Sequence, residues 1–426
     1  MRIEPTEACA KELDANDPLA SFREKFHIPE HKSGQPYVYL TGHSLGLQPQ
    51  TAKQYIETEL RDWARLGVEA HFHAENPWAS YHELVTESLA RLAGAAPLEV
   101  VAMNSISVNL HLMLTSFYRP TPARHGILVE GGAFPSDQYA VDSQIRFHGF
   151  SPEKALLELA PRPGEETLRT EDIIAKIEAE GDRIALILLG SVQYLTGQAF
   201  DIAAIAAAGR RKGCVVGFDL AHGIGNLPLR LHDDGVDFAV WGSYKYLNAG
   251  PGGVGGCFVH ERHARDSKLP RFAGWWGHDK KTRWAMPRRF SPMPGAEGWA
   301  LSNPPIFQLA ALRASLEIFD AATMTRLRKK SELLTGYFSA CLKTLPEGSC
   351  RMITPDKPNE RGCQISFHVT EPKERLVKRL QEQGIICDVR EPDVVRAAPV
   401  PLYNRFSDVY RLTQALTHGK TKAAAR

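Results

Sequence analysis

Little in this chain would suit an extracellular, membrane or nucleic-acid role. Its seven cysteines, Cys9, Cys214, Cys257, Cys341, Cys350, Cys363 and Cys387, are scattered, odd in number and free of any C-x-x-C pair. That argues against a disulfide frame or a zinc site and for a reducing compartment. Charge of one sign is lacking too. With 51 Lys and Arg against 49 Asp and Glu, the formal charge of +2 sets up no field to steer nucleic acid or an anionic surface. No run reaches the ~18 unbroken apolar residues of a membrane helix, and the opening MRIEPTEACAKELDAND has no apolar centre of the kind a secretory signal needs. A cytoplasmic protein is expected, with neither membrane nor nucleic acid as partner. No metal is expected either, because HFH at 71–73 lacks a third ligand at helical spacing.

What is present is an ordinary globular composition, 43% hydrophobic and 23% charged over 426 residues, enough for a large domain and a smaller one. Between 125 and 260, apolar runs with little polar alternation (HGILVEGG, RIALILLG, CVVGFDL, FAVWGSY, GGCFVH) read as strands covered on both faces. Amphipathic stretches between them, TEDIIAKIEAEGD and DIAAIAAAGRRKG, close on Gly181 and Gly213 as helices do. The pattern predicts an α/β fold with a mostly parallel central sheet and helices on both faces. From 305 onward PIFQLAALRASLEIFDAATMTRLRKKSELLTGYF has long helical periodicity and leads out of the first domain. A smaller α+β unit follows, with strands at CQISFHV and IICDVR and a helix at LVKRLQEQG. The expected division is an N-terminal segment at 1–50 packed on the small domain, a large domain at 51–305 and a small one at 306–426. A polar tail, GKTKAAAR, ends the chain, and the loop at 270–304 is long enough to be functional.

The sharpest chemical signal is a pair of strand ends. Asp219 closes one apolar run and Lys245 lies just past the next, followed by the glycine-rich GPGGVGG. In an open α/β sheet, ligands bind beyond the carboxyl ends of strands, where these two side chains would meet. A pyridoxal ring needs both: a carboxylate to keep its nitrogen protonated, and an amine in a partly desolvated pocket as covalent anchor. Either residue alone reads as a turn aspartate or a solvated lysine. Asn104, Ser105 and Ser107 open an apolar helical stretch that could hold a phosphate, and Phe134 follows a strand where a ring could stack on a flat cofactor.

With those residues placed, the sequence resembles the kynureninase family through YLTGHSLGLQP, NSISVNLHLML, AFPSDQYA, GFDLAHGIGN, DFAVWGSYKYLNAGPGG, GWWGH, LSNPPI and RAAPVPLYN, in family order. The resemblance implies fold type I of the pyridoxal phosphate enzymes and hydrolysis of kynurenine, or its 3-hydroxy form, to anthranilate and alanine. That places the chain in tryptophan catabolism and NAD biosynthesis. It further implies Lys245 as Schiff-base lysine, Asp219 as partner of the ring nitrogen, His222 at the ring's hydroxyl edge, Phe134 as stacking ring, and Ile106 with Ser107 as phosphate binders. Tyr244 would touch the phosphate and relay protons. Trp275 and Asn303 would cross a homodimer interface into the neighbouring site. Arg396 would clamp the substrate α-carboxylate, and His71 with Ser302 and Asn303 would hold its aromatic end. His43 stands where the family commonly has Asn, and Gly190 or Ser191 near a ring-proximal serine.

Other readings of the same fold are a cysteine desulfurase-like lyase, an aminotransferase, or a non-catalytic cofactor-binding regulator. The first commonly has His before the cofactor lysine and a reactive late cysteine; here Tyr244 takes that place, and Cys350 and Cys363 lack activating neighbours. A regulator would be expected to have lost Lys245, Asp219 or Arg396. The arginines at 283, 288 and 289 read as loop surface or substrate-side contacts rather than a basic face.

Overall fold

The structure, a computed structural model, describes residues 4–266 and 268–417. The polar tail at 419–426 lies outside the described residues. A first strand, β1 (Val38–Tyr39), stands apart from the next seven: β2 (Val100–Ala102), β3 (Gly126–Glu130), β4 (Leu156–Leu159), β5 (Ile184–Gly190), β6 (Val215–Asp219), β7 (Phe238–Gly242) and β8 (Gly255–Val259). These form one sheet in the order β2-β8-β7-β6-β5-β3-β4. From β7 to β4 every pairing is parallel, whereas β8 runs antiparallel to both its neighbours.

The unbroken apolar runs are explained by two cores, one on each face of this sheet. Along β5, Ile184, Ile187 and Leu189 enter one core, and Ala185, Leu186 and Leu188 the other. On β7, Ala239 and Trp241 oppose Phe238 and Val240 in the same way. β4 gave no such run because it is an edge strand with Glu158 exposed, and β2 is only three residues long. The crossover helices Thr170–Glu180 and Ile202–Arg211 bury Ile173, Ile177 and Ile205 on one face. Asp201 caps the second by accepting from the Ala204 amide at 3.0 Å.

The long periodic stretch after 305 differs from a single helix. It forms two, Ile306–Ala322 and Met324–Leu342, parted at Thr323, whose φ of 61° is costly for a β-branched residue. The first buries Leu309, Leu312 and Phe319 against the large sheet, and the second buries Leu334, Tyr337 and Phe338 in the other unit. Two cores lying in different directions cannot share one straight rod, and the hydrophobic period does not register the change.

The smaller unit holds β9 (Cys350–Met352), β10 (Ile365–Val369), β11 (Ile385–Ile386), β12 (Asp388–Arg390) and β13 (Val394–Ala397). Four make an antiparallel sheet in the order β12-β13-β10-β9, while β11 pairs in parallel with β1. The expected single strand IICDVR is thus split at Cys387 between two sheets. Helix Glu7–Ala15 buries Cys9, Ala10 and Leu13 in the same core as Val409 and Leu412 of helix Phe406–Thr417.

Strand β6 lies so close to its neighbour that a Cβ on Gly217 would fall 2.2 Å from the Phe238 ring, itself stacked on Phe117 at 5.0 Å. Gly217→Ala is expected to lower stability by about 1–3 kcal/mol through overpacking. Denaturant unfolding checks this, and an unchanged midpoint would contradict the close β6–β7 packing.

Candidate active site

Four adjacent parallel strands, β7, β6, β5 and β3, end on the same edge of the large sheet. β6 ends on Asp219, β5 on Gly190 and β3 on Glu130, and Lys245 follows β7 by three residues. All four residues line one cleft, together with Ile106, Ser107, Phe134, Ser136, Asp137, Tyr194, His222 and Tyr244. The cleft therefore arises from strand order.

Lys245 is deeply set, with its amine 5.7 Å from the centre of the Phe134 ring and 5.8 Å from that of Tyr244. Burial pushes its pKa down, with Arg396 adding to the effect and Asp219 opposing it. The shift is in the direction that a nucleophile or base requires. Asp219 accepts from the Ala221 amide at 2.5 Å. Its pKa is raised by burial, and the amide and Lys245 pull it back. His222 is pushed well below its usual value by burial and by the nearby positive charge of Lys245. It is a neutral imidazole, and its buried Nδ1 has no hydrogen-bond partner.

Two helices, Ile106–Phe117 and Pro135–Phe147, begin at the cleft, and the Ser107 and Ser136 hydroxyls near their N-termini lie 2.9 Å apart. The free amides at the start of the first helix and the two hydroxyls suit a phosphate, while at the second helix Pro135 has no N–H and the Asp137 and Gln138 amides turn back to the Phe134 carbonyl. Asn104 and Ser105 do not join this set. Asn104 donates to Asn109 at 3.0 Å, and both residues line a separate pocket. Phe134 keeps 45% of its surface exposed and meets Tyr194 in a T-shaped contact at 5.3 Å. An imidazole with a buried, unpartnered Nδ1, a half-exposed aromatic ring, an amine and a carboxylate in one cleft fit pyridoxal phosphate.

The loop GHSLG is held against this edge from the other side. The Gly46 amide donates to the Tyr244 carbonyl at 2.9 Å, and a Cβ on Gly46 would meet the Lys245 carbonyl at 2.3 Å, so only glycine permits the approach. Gly190 lines the cleft, whereas Ser191 is buried behind it with its hydroxyl donating to the Asp219 carbonyl at 3.1 Å. Arg396, on β13 of the small unit, is almost wholly buried and donates to the carbonyl of cleft residue Tyr194 at 2.7 Å.

Other expected site residues are not brought into this cleft by their own chain. Trp275 is 41% exposed and lines a pocket of the 270–304 loop, while Ser302 and Asn303 line another with Asn104 and Trp276. His71 packs edge-on against Trp78 at 5.7 Å. The expectation of surface or substrate contacts fails for Arg283, which is buried under Trp276 and donates to the Trp276 and His278 carbonyls, stapling the loop. Arg288 and Arg289 are exposed.

Sequence reasoning missed Glu130, Ser136, Asp137 and Tyr194. Asp137 and Ser136 stood inside the quoted AFPSDQYA, one helical turn beyond Phe134. Glu130 looked like a strand-end residue of no distinction; only the neighbouring strand shows that it accepts from the Gly190 amide at 3.2 Å. Among the described residues Glu99 also gathers His232 and His260, but it is engaged by the Ala96 and Glu261 amides and by His232 Nδ1 at 3.0 Å. The late cysteines are inert: burial pushes Cys363 up to about 12 and raises Cys350 as well.

Fold and cleft together define the class, a pyridoxal phosphate enzyme of fold type I. The architecture is similar to that of a C-DES mutant with glycine covalently linked to its PLP cofactor (TM-score 0.77, 18% identity, 93% of this chain and 99% of that one). It is also similar to a cysteine desulfurase from Escherichia coli (TM-score 0.75, 19% identity, 93% and 97%). At such identities the likeness concerns the fold alone. The family described as kynureninase C-terminal domain matches residues 327–416. Kynureninases of Myxococcus xanthus (strain DK1622) and Koribacter versatilis (strain Ellin345) are 64% and 59% identical to this chain, each over 97% of both proteins. The chain belongs to the kynureninase family.

Glu130, buried beside Asp219, is pushed by that burial from 4.5 up to about 8. In the unfolded chain it ionises near 4.5, so the stability it contributes is full below that pH and is lost as pH rises to about 8. For the cofactor-free protein, the melting temperature of Glu130→Gln should fall less between about pH 5 and pH 8 than that of the wild type. Parallel falls would mean that Glu130 is not held neutral.

Proposed function

We propose that this chain hydrolyses L-kynurenine to anthranilate and L-alanine, with the 3-hydroxy compound as an alternative substrate, using the cleft between Lys245 and Asp219. The activity is that of a pyridoxal phosphate hydrolase acting on a carbon–carbon bond, the family's reaction in tryptophan catabolism. The observation that carries the site assignment is the delivery of a buried carboxyl and a buried amine by neighbouring parallel strands into one cleft. A desulfurase is disfavoured by the inert cysteines, and an aminotransferase would release a keto acid in place of anthranilate.

When bound, pyridoxal phosphate supplies an electron sink conjugated with the substrate's α-carbon. Lys245 would anchor it and, once free, would take the substrate α-proton, a role that its pKa, lowered by burial, favours. Asp219 would keep the ring nitrogen protonated, and His222 would stand at the ring's hydroxyl edge. Ser107 and Ser136, with the amides of Ile106 and its neighbours, would hold the phosphate, and Phe134 would stack on the ring. Tyr244, whose phenol burial keeps protonated, moves a proton back to the carbon that becomes the methyl of alanine. Arg396 takes the α-carboxylate through two N–H donors. Water attacks the γ-carbonyl, and the Cβ to Cγ bond breaks toward Cβ.

Trp275, Asn303 and Ser302, which lie away from their own chain's cleft, serve the site of a second copy, so the working unit is a homodimer in the cytoplasm. His71 with Ser302 and Asn303 faces the aromatic end of the substrate. Purified enzyme should convert L-kynurenine to fluorescent anthranilate, with 3-hydroxykynurenine run in parallel. Lys245→Ala should lose the visible band of bound cofactor and about 10³-fold or more in turnover. A retained band would refute the lysine assignment.

A further inference from the structure

Arg396 and Asp388 are direct cross-strand partners in the antiparallel pair β13 and β12, so their side chains rise on the same face. Asp388 Oδ2 accepts from Arg396 Nε at 2.7 Å and also from Nη2, while Nη1 donates to the Tyr194 carbonyl at 2.7 Å. A guanidinium carries five N–H donors. These bonds use one on each nitrogen, and the donors left over sit one on Nη1 and one on Nη2. Both nitrogens thus keep a donor for a carboxylate.

Asp388 is held from further sides. Arg390 Nε donates to the same oxygen at 2.9 Å, and buried His43 places Nε2 3.7 Å from it with neither ring nitrogen hydrogen-bonded. Burial alone would raise the Asp388 pKa, but His43 and the two guanidiniums hold it well below the carboxylate range. Burial pushes His43 down to about 4, so two arginine charges face one carboxylate and leave a single positive charge on this wall. Arg396 is nearly inaccessible to solvent, and an unpaired charge there would be costly.

We propose that Asp388 is a positioning residue for the substrate clamp: by taking the Nε edge of Arg396 it fixes the guanidinium so that the Nη fork stays available for the α-carboxylate. This rests on Arg396 being the clamp. His43, standing where the family commonly has Asn, lies on a further side of Asp388, its Nε2 3.7 Å from the same oxygen.

The test uses holoenzyme with L-kynurenine. Asp388→Asn keeps the size of the side chain and removes the charge that orients Arg396. The expected result is a KM raised about tenfold or more with kcat within about threefold, and an unchanged cofactor absorption band. A purely structural defect would lower kcat and cofactor occupancy together. Should that variant fail to fold, Asp388→Glu, which keeps the charge but displaces it, is read the same way, with a rise in KM of about threefold or more expected. A KM that falls or stays within about twofold of wild type overturns the proposal. Arg396→Gln is measured alongside: if its KM is also unchanged, the clamp assignment has failed, and if its KM rises while that of the Asp388 variant does not, only the positioning role has.

Discussion

Burying an acid and an amine in the same cleft is the constraint on which the rest of this protein turns. Burial works against the charge of each group, raising the Asp219 pKa and lowering that of Lys245. Placed together they hold one another back, because each charge stabilises the opposite one where water cannot. The β6–β7 pairing sets their separation, with Asp219 opposite Val240 and the lysine three residues past the end of β7. Gly217 lets β6 lie against the Phe238 ring, and Gly46 lets a loop from the N-terminal segment press on the lysine's own carbonyl.

Around that pair the chemistry is graded by solvent access. Glu130 and Asp137 join Asp219 on one side of the cleft, and burial keeps the first two disposed to hold protons. On the other side the small unit brings Arg396, already paired with Asp388, through β13. The Tyr194 loop joins the halves, since its ring lies against Phe134 and its carbonyl receives the arginine.

Much of this was legible in the chain. Strands covered on both faces must be apolar at every position, so β3, β5, β6, β7 and β8 stood out, and the acid and amine that share the cleft followed from where two of those runs stop. The break at Thr323 was not legible, because both helices keep the same period while serving different cores. Nor was the split of IICDVR, where six residues of uniform strand character are shared between two sheets. Arg283 looked like surface because its burial depends on Trp276 and on carbonyls that a linear reading cannot bring near it. Glu130 and Asp388 escaped notice for the same reason: each takes its role from a residue on a neighbouring strand.

The order of residues determined the α/β pattern, the family, and the identity of the amine and carboxylate, since these depend on local periodicity and on side-chain chemistry written at fixed positions. Only the tertiary structure decided which carboxyls share the cleft, which edge of Arg396 is free, and which expected residues lie away from their own chain's cleft. Those matters depend on strand order, register and burial, which arise between segments far apart in the chain.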